Sequence, residues 1–189
     1  GWQGKSTMLI SRKLGAFFFL GALLTTLEIA PDTPEPDRCG RCTRCIDACP
    51  TGAITAPGQL DARLCVSYLT IELKGAIPEA LRPLIGNRIY GCDDCAAVCP
   101  WNRFAKAATE VSLDEAGFRA LFRGSPIRRI KRRGFLRNVC VALGNTGDLG
   151  DLAALSAVVD DAEPLVAEHA RWAVAQIERR RGGGAALPP

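Results

Sequence analysis

The chain has 189 residues, 48% of them apolar and 23% charged, and a net charge of +4 at neutral pH. This is the composition of an ordinary globular protein with enough apolar residues for a core, in one domain or two. Of nine cysteines eight are spaced for metal, in a chain too long to be a small secreted scaffold, which sets aside a disulfide framework and points to a reducing cytoplasm.

The chain opens GWQGKSTMLISRK without an initiator methionine, and is read as a piece of something longer. Residues 14–24, LGAFFFLGALL, follow Arg12 and Lys13 and superficially have the charged flank and apolar run of a signal peptide. Eleven residues are too few to span a bilayer as a helix, which takes about twenty. No small-residue cleavage site follows, so the stretch is expected to be a buried core segment. Residues 31–37, PDTPEPD, form a proline-rich acidic connector that continues neither a helix nor a sheet ladder.

Cys39, Cys42, Cys45 and Cys49 before Pro50 read C-x2-C-x2-C-x3-C-P. Three thiolates at this spacing wrap one face of a cubane, and the fourth ligates the other cluster of a pair, so one run implies a second. Cys92, Cys95 and Cys99 before Pro100 give C-x2-C-x3-C-P, which lacks its heading cysteine; Cys65 is the replacement. Applying the exchange, cluster one takes Cys39, Cys42, Cys45 and Cys99, and cluster two takes Cys49, Cys65, Cys92 and Cys95. A pair of structural zinc sites would suit the C-x2-C pairs, but explains neither the two x3-C-P endings nor the three-cysteine cadence.

The insertion between Cys65 and Cys92 carries Pro78 at a helix start and Gly86 after the apolar pattern Ala80, Leu81, Leu84, Ile85; it is expected to pack over cluster two. Ser112 and Glu115 have the form of a capping box opening a helix with Leu113, Phe118, Leu121 and Phe122. Residues 123–137, RGSPIRRIKRRGFLR, hold seven basic residues and no acid, with Ile127, Ile130, Phe135 and Leu136 interleaved to anchor them; from Asn138 to Glu178, seven acids stand against Arg171 alone. Arg128, Arg129, Lys131, Arg132 and Arg133 are the candidate phosphate contacts, the footprint of nucleic acid rather than of a merely solvated surface. Three helical segments follow (FLRNVCVALGN, LGDLAALSAVVDD and PLVAEHARWAVAQIERR), with Gly144 as a C-cap and Pro164 as a first helical residue. They suggest a HEAT-like repeat. Residues 182–189 are expected to be an unstructured tail.

A two-cluster module moves electrons and breaks no bonds itself, so it calls for an electron acceptor. The lone His169 reads as an ordinary helix residue and Cys140 as a buried free thiol; no P-loop or G-x-G-x-x-G appears. The expected fold is α+β: a bacterial ferredoxin-like two-cluster module (38–110) followed by a basic segment and a C-terminal HEAT-like helical domain (111–181).

The stretches GWQGKSTMLIS, CGRCTRCIDACPTGAI, CVSYLTIELKGAIPEALRPLIGNRIYGCDDCAAVCPWN, SPIRRI and LRNVCVALGN resemble the epoxyqueuosine reductase family. The resemblance implies a cobalamin-dependent reduction of epoxyqueuosine to queuosine at the wobble position of transfer RNA. Two 4Fe-4S clusters would feed cobalamin, and a HEAT-like domain would help hold the anticodon stem-loop. It makes residues 1–37 the end of a cobalamin-binding domain with its linker, and Lys5, Ser6 and Ser67 candidate cobalamin contacts. The family's proton-donating aspartate has no counterpart among these residues, so the chain alone is expected to be inactive. A cytoplasmic monomer with an unidentified electron donor and no membrane association is expected. A reductive dehalogenase shares the cofactor pairing but not the basic patch, and a plain two-cluster ferredoxin would leave that patch and the helices idle.

Overall fold

Burial alternates through the first positions, with Trp2, Gly4 and Ser6 inside and Gln3 outside. In the computed structural model, which describes residues 1–18, 20–104, 125 and 129–182, this alternation becomes a hairpin. Strand β1 (Trp2–Gln3) pairs antiparallel with β2 (Leu9–Ile10), Trp2 opposite Ile10. A β-carbon at Gly4 would meet the end of the Ile10 side chain, which would have to shift to admit it. The hairpin belongs to a first unit formed by Gly1–Ala62 and the described part of Asp93–Val111. Its core is small: Trp2, Ile10, Ala16 and Ala96, with Cys39, Cys99 and Trp101 packed against them. The same unit holds α1 (Arg44–Asp47), the hairpin of β3 (Ile54–Ala56) with β4 (Gln59–Leu60), and α3 (Asp94–Ala97).

The apolar run at 14–24 is not a core segment. Leu14, Phe17, Leu20, Leu23 and Leu24 are 55%, 47%, 72%, 89% and 96% exposed, and among the described residues of the run only Gly15 and Ala16 are buried. The described residues from Phe17 to Arg38 form neither helix nor strand, so the run has no single face to offer a core.

The second unit comprises Arg63–Cys92 and the described part of Ser112–Pro189. The insertion therefore groups with the C-terminal helices, a different division from one at residue 110. The reason is burial: Val66, Leu69, Ile77 and Ile85 share one core with Cys140, Val141, Leu155, Ala170, Trp172, Ala173 and Ile177. Within this unit a π-helical turn spans Tyr68–Glu72, Pro78 precedes a 3-10 turn at Glu79–Leu81, and α2 (Arg82–Ile85) ends at Gly86 with φ 62°. Then come α4 (Lys131–Thr146), the short α5 (Leu152–Ser156) and α6 (Pro164–Gly182).

Gly144 is not a C-cap; it lies inside α4, and the helix closes at Gly147. A β-carbon on Gly144 would strike the Trp172 ring and sit 3.0 Å from the Ala173 backbone, so this glycine is what lets α4 and α6 approach. The ends are tied as well: Arg180 donates to the carbonyls of Gly144 and Gly147, and Asn145 donates to those of Arg82 and Gly86. Among the described residues no helix is long and apolar enough to cross a membrane. The capping box at Ser112 and Glu115, the helix expected to follow it, Arg123, Arg128 and residues 183–189 lie outside the described residues.

Candidate metal centre

The two cysteine runs fold into the same object, fifty residues apart. In the first, Thr43 O accepts from the amides of Ile46 and Asp47, at 2.8 and 3.1 Å, Arg44 O from Ala48 at 3.0 Å and Ile46 O from Cys49 at 3.2 Å. In the second, Asp93 O accepts from Ala96 and Ala97, at 2.9 and 2.7 Å, Asp94 O from Val98 at 3.1 Å and Ala96 O from Cys99 at 3.0 Å. Even the flanking dihedrals agree, φ −80° and ψ −8° at Ala48 against φ −79° and ψ −4° at Val98. Each C-x3-C thus rides a single helical turn that the following proline ends, because proline cannot continue the hydrogen-bond ladder.

In the first run the Cys42 amide bonds to Cys39 O at 3.1 Å, which curls the loop and gathers its sulfurs. Burial pushes the Cys45 thiol above its ordinary range, and the charges of Cys39 and Cys42 push it further. Cys49 behaves oppositely. Burial raises it, but hydrogen bonds from the backbone at Ile54, Thr51 and Ala53 and from the Thr51 hydroxyl outweigh that and hold it low; Ala53 N lies 3.2 Å from its sulfur. Cys39 and Cys99, distant in sequence, pack against one core.

The second run lacks a cysteine where Ile89 stands, and Ser67 supplies what the Cys39 carbonyl supplies in the first: its hydroxyl accepts the Cys92 amide at 3.1 Å. Two residues before it is Cys65, whose carbonyl accepts from Leu69 at 2.9 Å. Thr70 adds a second tie, accepting the Gly91 amide at 2.9 Å and donating to Val66 O at 2.8 Å. These two hydroxyls hold the Cys65 segment to the segment of Cys92, and reading for cysteine spacing alone passes over them.

None of the eight cysteines, those of the two runs and Cys65, is in a disulfide, and all eight are half-buried. Among the described residues no three histidines, cysteines or acids converge on a point where one metal ion would sit. The buried Trp2 Nε1, in the core against which Cys39 and Cys99 pack, finds no acceptor among the described residues. Half-buried thiols on two runs of ferredoxin spacing, with an unpartnered donor in the core against which two of them pack, fit iron–sulfur clusters.

Of the residues expected near cobalamin, Lys5 donates its Nζ to Gly40 O at 2.7 Å, on the Cys39–Cys42 loop, and Ser6 is buried. Ser67 belongs to the second unit, engaged with Cys92. Of the basic set, Arg129, Lys131, Arg132 and Arg133 are exposed. Arg129 pairs with Glu72 at 2.9 Å, Arg132 reaches both oxygens of Asp161 at 2.8 and 3.4 Å, and Arg133 faces Glu163 at 4.0 Å. Lys131 takes the left-handed φ of 57° at the start of α4. Lys74 joins Arg129, Lys131 and Arg133 around a cavity of about 80 Å³, a member of the patch that a lone lysine in the insertion does not announce.

Arg137, the last of the seven basic residues, turns inward: it is 1% exposed and donates to the carbonyls of Leu69, Leu73 and Gly75 and to Asn138 Oδ1. His169 is fully buried, accepting the Ile77 amide at Nε2 and facing Leu165 O through Nδ1, a pairing suited to the neutral ring. Cys140 is buried too, and burial pushes its thiol up to about 11.

Residues 38–102 match the family described as a 4Fe-4S double cluster binding domain. The epoxyqueuosine reductase of Escherichia coli K12 is 48% identical over 95% of this chain and 52% of that protein. That of Alicycliphilus denitrificans is 48% identical over 93% of this chain and 56% of its own length. Among solved structures, epoxyqueuosine reductase from Streptococcus thermophilus superposes with a TM-score of 0.83 at 32% identity, over 95% of this chain and 52% of that one. A crystal structure of the enzyme with an epoxyqueuosine-modified tRNA-Tyr stem loop gives 0.79 at 33% identity, over 94% and 52%. The chain spans about half the length of the curated relatives it matches.

Proposed function

The chain belongs to the epoxyqueuosine reductase family, and on that premise we propose that it carries the electron-transfer and RNA-holding parts of an enzyme that reduces epoxyqueuosine to queuosine at the wobble position of transfer RNA. The observation that supports this best is the repeated single-turn helix, which delivers two C-x3-C-P runs with the same hydrogen bonds. Cys39, Cys42, Cys45 and Cys99 would hold one 4Fe-4S cluster and Cys49, Cys65, Cys92 and Cys95 the other. When bound, the clusters supply single electrons and cobalamin the centre that receives them. The chain's own part is to hold thiolates: amides aimed at Cys49 favour its ionised form, and Ser67 and Thr70 draw Cys65 to its run.

Cobalamin enters on the family resemblance. Each within its own unit, Lys5 is held by Gly40 and Ser67 by Cys92, so these side chains would contact it rather than ligate cobalt. Arg128, Arg129, Lys131, Arg132 and Arg133, joined by Lys74, would take phosphates of an anticodon stem-loop, and α4 with α6 would act as one HEAT-like unit behind them. The cytoplasm, where transfer RNA is modified, is the expected compartment. The 189 residues expressed alone are expected to bind the stem-loop without reducing it.

The test is composition followed by ligand exchange. Anaerobically reconstituted protein should contain about eight irons and as many sulfides per chain. Two zinc ions per chain in anaerobically purified protein would overturn the reading. Turnover of epoxyqueuosine-containing transfer RNA by the whole protein, with cobalamin and reductant, checks the activity.

A further inference from the structure

Trp2 has a buried polar atom that is left without a partner among the described residues. The residue is 4% exposed and its Nε1 finds no acceptor among the described residues. An indole nitrogen only donates, and buried donors are almost always paired, so an unpaired one marks an acceptor supplied from elsewhere. The side chains around it narrow what that acceptor is. Ile10, Ala16 and Ala96 are apolar, and Trp101 meets the Trp2 ring edge-on, centroids 5.0 Å apart at 78°. The sulfurs packed against this core are those of Cys39 and Cys99, assigned above to a single cluster. The strand points the same way: Gly4 shares the inward face of Trp2, and a β-carbon there would lie 3.6 Å from Cys39 Sγ.

We propose that Trp2 donates its indole N–H to a sulfur of the cluster held by Cys39, Cys42, Cys45 and Cys99, and so tunes that cluster's potential. This rests on the two-cluster reading. A hydrogen bond to cluster sulfur stabilises the reduced, more negative form, so it raises the potential of this cluster and not of its neighbour. The bond also gives the GWQGK stretch a task toward iron and sulfur.

The experiment is an EPR-monitored redox titration of the holoprotein and of its Trp2→Phe variant, with iron counted in both. Phenylalanine keeps an aromatic ring against Trp101 and lacks the donor. The expected result is unchanged iron content, one cluster shifted to a more negative midpoint potential and the other unmoved. Two unmoved potentials in an iron-loaded variant overturn the proposal. Should the variant lose iron, the parent labelled with 15N in the indole decides: hyperfine coupling of that nitrogen to one reduced cluster supports the bond, and its absence overturns it. A parent that holds no cluster when reconstituted fails the two-cluster reading itself, and the inference with it.

Discussion

Arg137 shows how far a residue's role depends on its neighbours rather than on its type. It closes a run of basic residues, yet its guanidinium is spent on carbonyls 62 to 68 residues earlier in the chain. Burial, with the Arg133 charge second, lowers it to about 10, so it stays charged at neutral pH. Replacing it with leucine strands the carbonyls of Leu69, Leu73 and Gly75, a loss of about 3 kcal/mol or more in denaturant unfolding. His169 carries the complementary, uncharged role. Burial first, and then the charge of Arg82, hold its imidazole down at about 4, against 6.5 for the free group. The unfolded chain therefore binds the proton more readily, and stability is full above pH 6.5 and falls as the pH drops from there toward 4, by on the order of 3 kcal/mol. His169→Gln should flatten unfolding free energy against pH across that window; an unchanged slope would assign the loss to other groups.

At the scale of elements, the single-turn helices α1 and α3 explain why the cysteines were legible from spacing: the ligand geometry is local, and a turn ended by proline fixes it within five residues. Exchange of the fourth ligand gives opposite expectations for two matched substitutions. Cys49→Ala should impair the cluster of Cys65, Cys92 and Cys95, and Cys99→Ala the cluster of Cys39, Cys42 and Cys45, each read by EPR of the surviving centre. Survival of the wrong centre would uncross the assignment. What spacing did not disclose depends on contacts formed at long range. An apolar run such as 14–24 has no period, and without period nothing distinguishes a buried segment from an exposed one. Gly144 looks the same in sequence whether it ends a helix or admits a tryptophan. Because it admits Trp172, Gly144→Ala should destabilise the protein by about 1–3 kcal/mol, against the gain expected for an exposed helical glycine; thermal unfolding checks the sign.

For the whole molecule, the net charge of +4 conceals a separation that the fold partly undoes. Acids from the otherwise acidic segment return to the basic patch: Asp161, only 12% exposed, clamps Arg132, and Glu163 faces Arg133. An arginine already neutralised by a fixed carboxylate has less to gain from a phosphate, so the patch is graded rather than uniform. Lys131 and Lys74 line the small cavity, and the pair of Arg129 with Glu72 is exposed, of a kind worth roughly 0–1 kcal/mol and easily exchanged. If these groups neutralise RNA phosphates, binding of an anticodon stem-loop should weaken linearly in log–log coordinates with salt, by about 0.7 to 0.9 per contact. Lys131→Ala combined with Arg129→Ala should then reduce the slope by roughly 1.4 to 1.8. Arg132→Ala should reduce it by less, since Asp161 already occupies that guanidinium. The measurement is stem-loop binding over a salt series for the holoprotein and both variants, with iron content as the control that the clusters are intact. Equal slopes in parent and double variant would remove these residues from the RNA interface, and a larger drop for Arg132→Ala would show that Asp161 yields its partner to the phosphate.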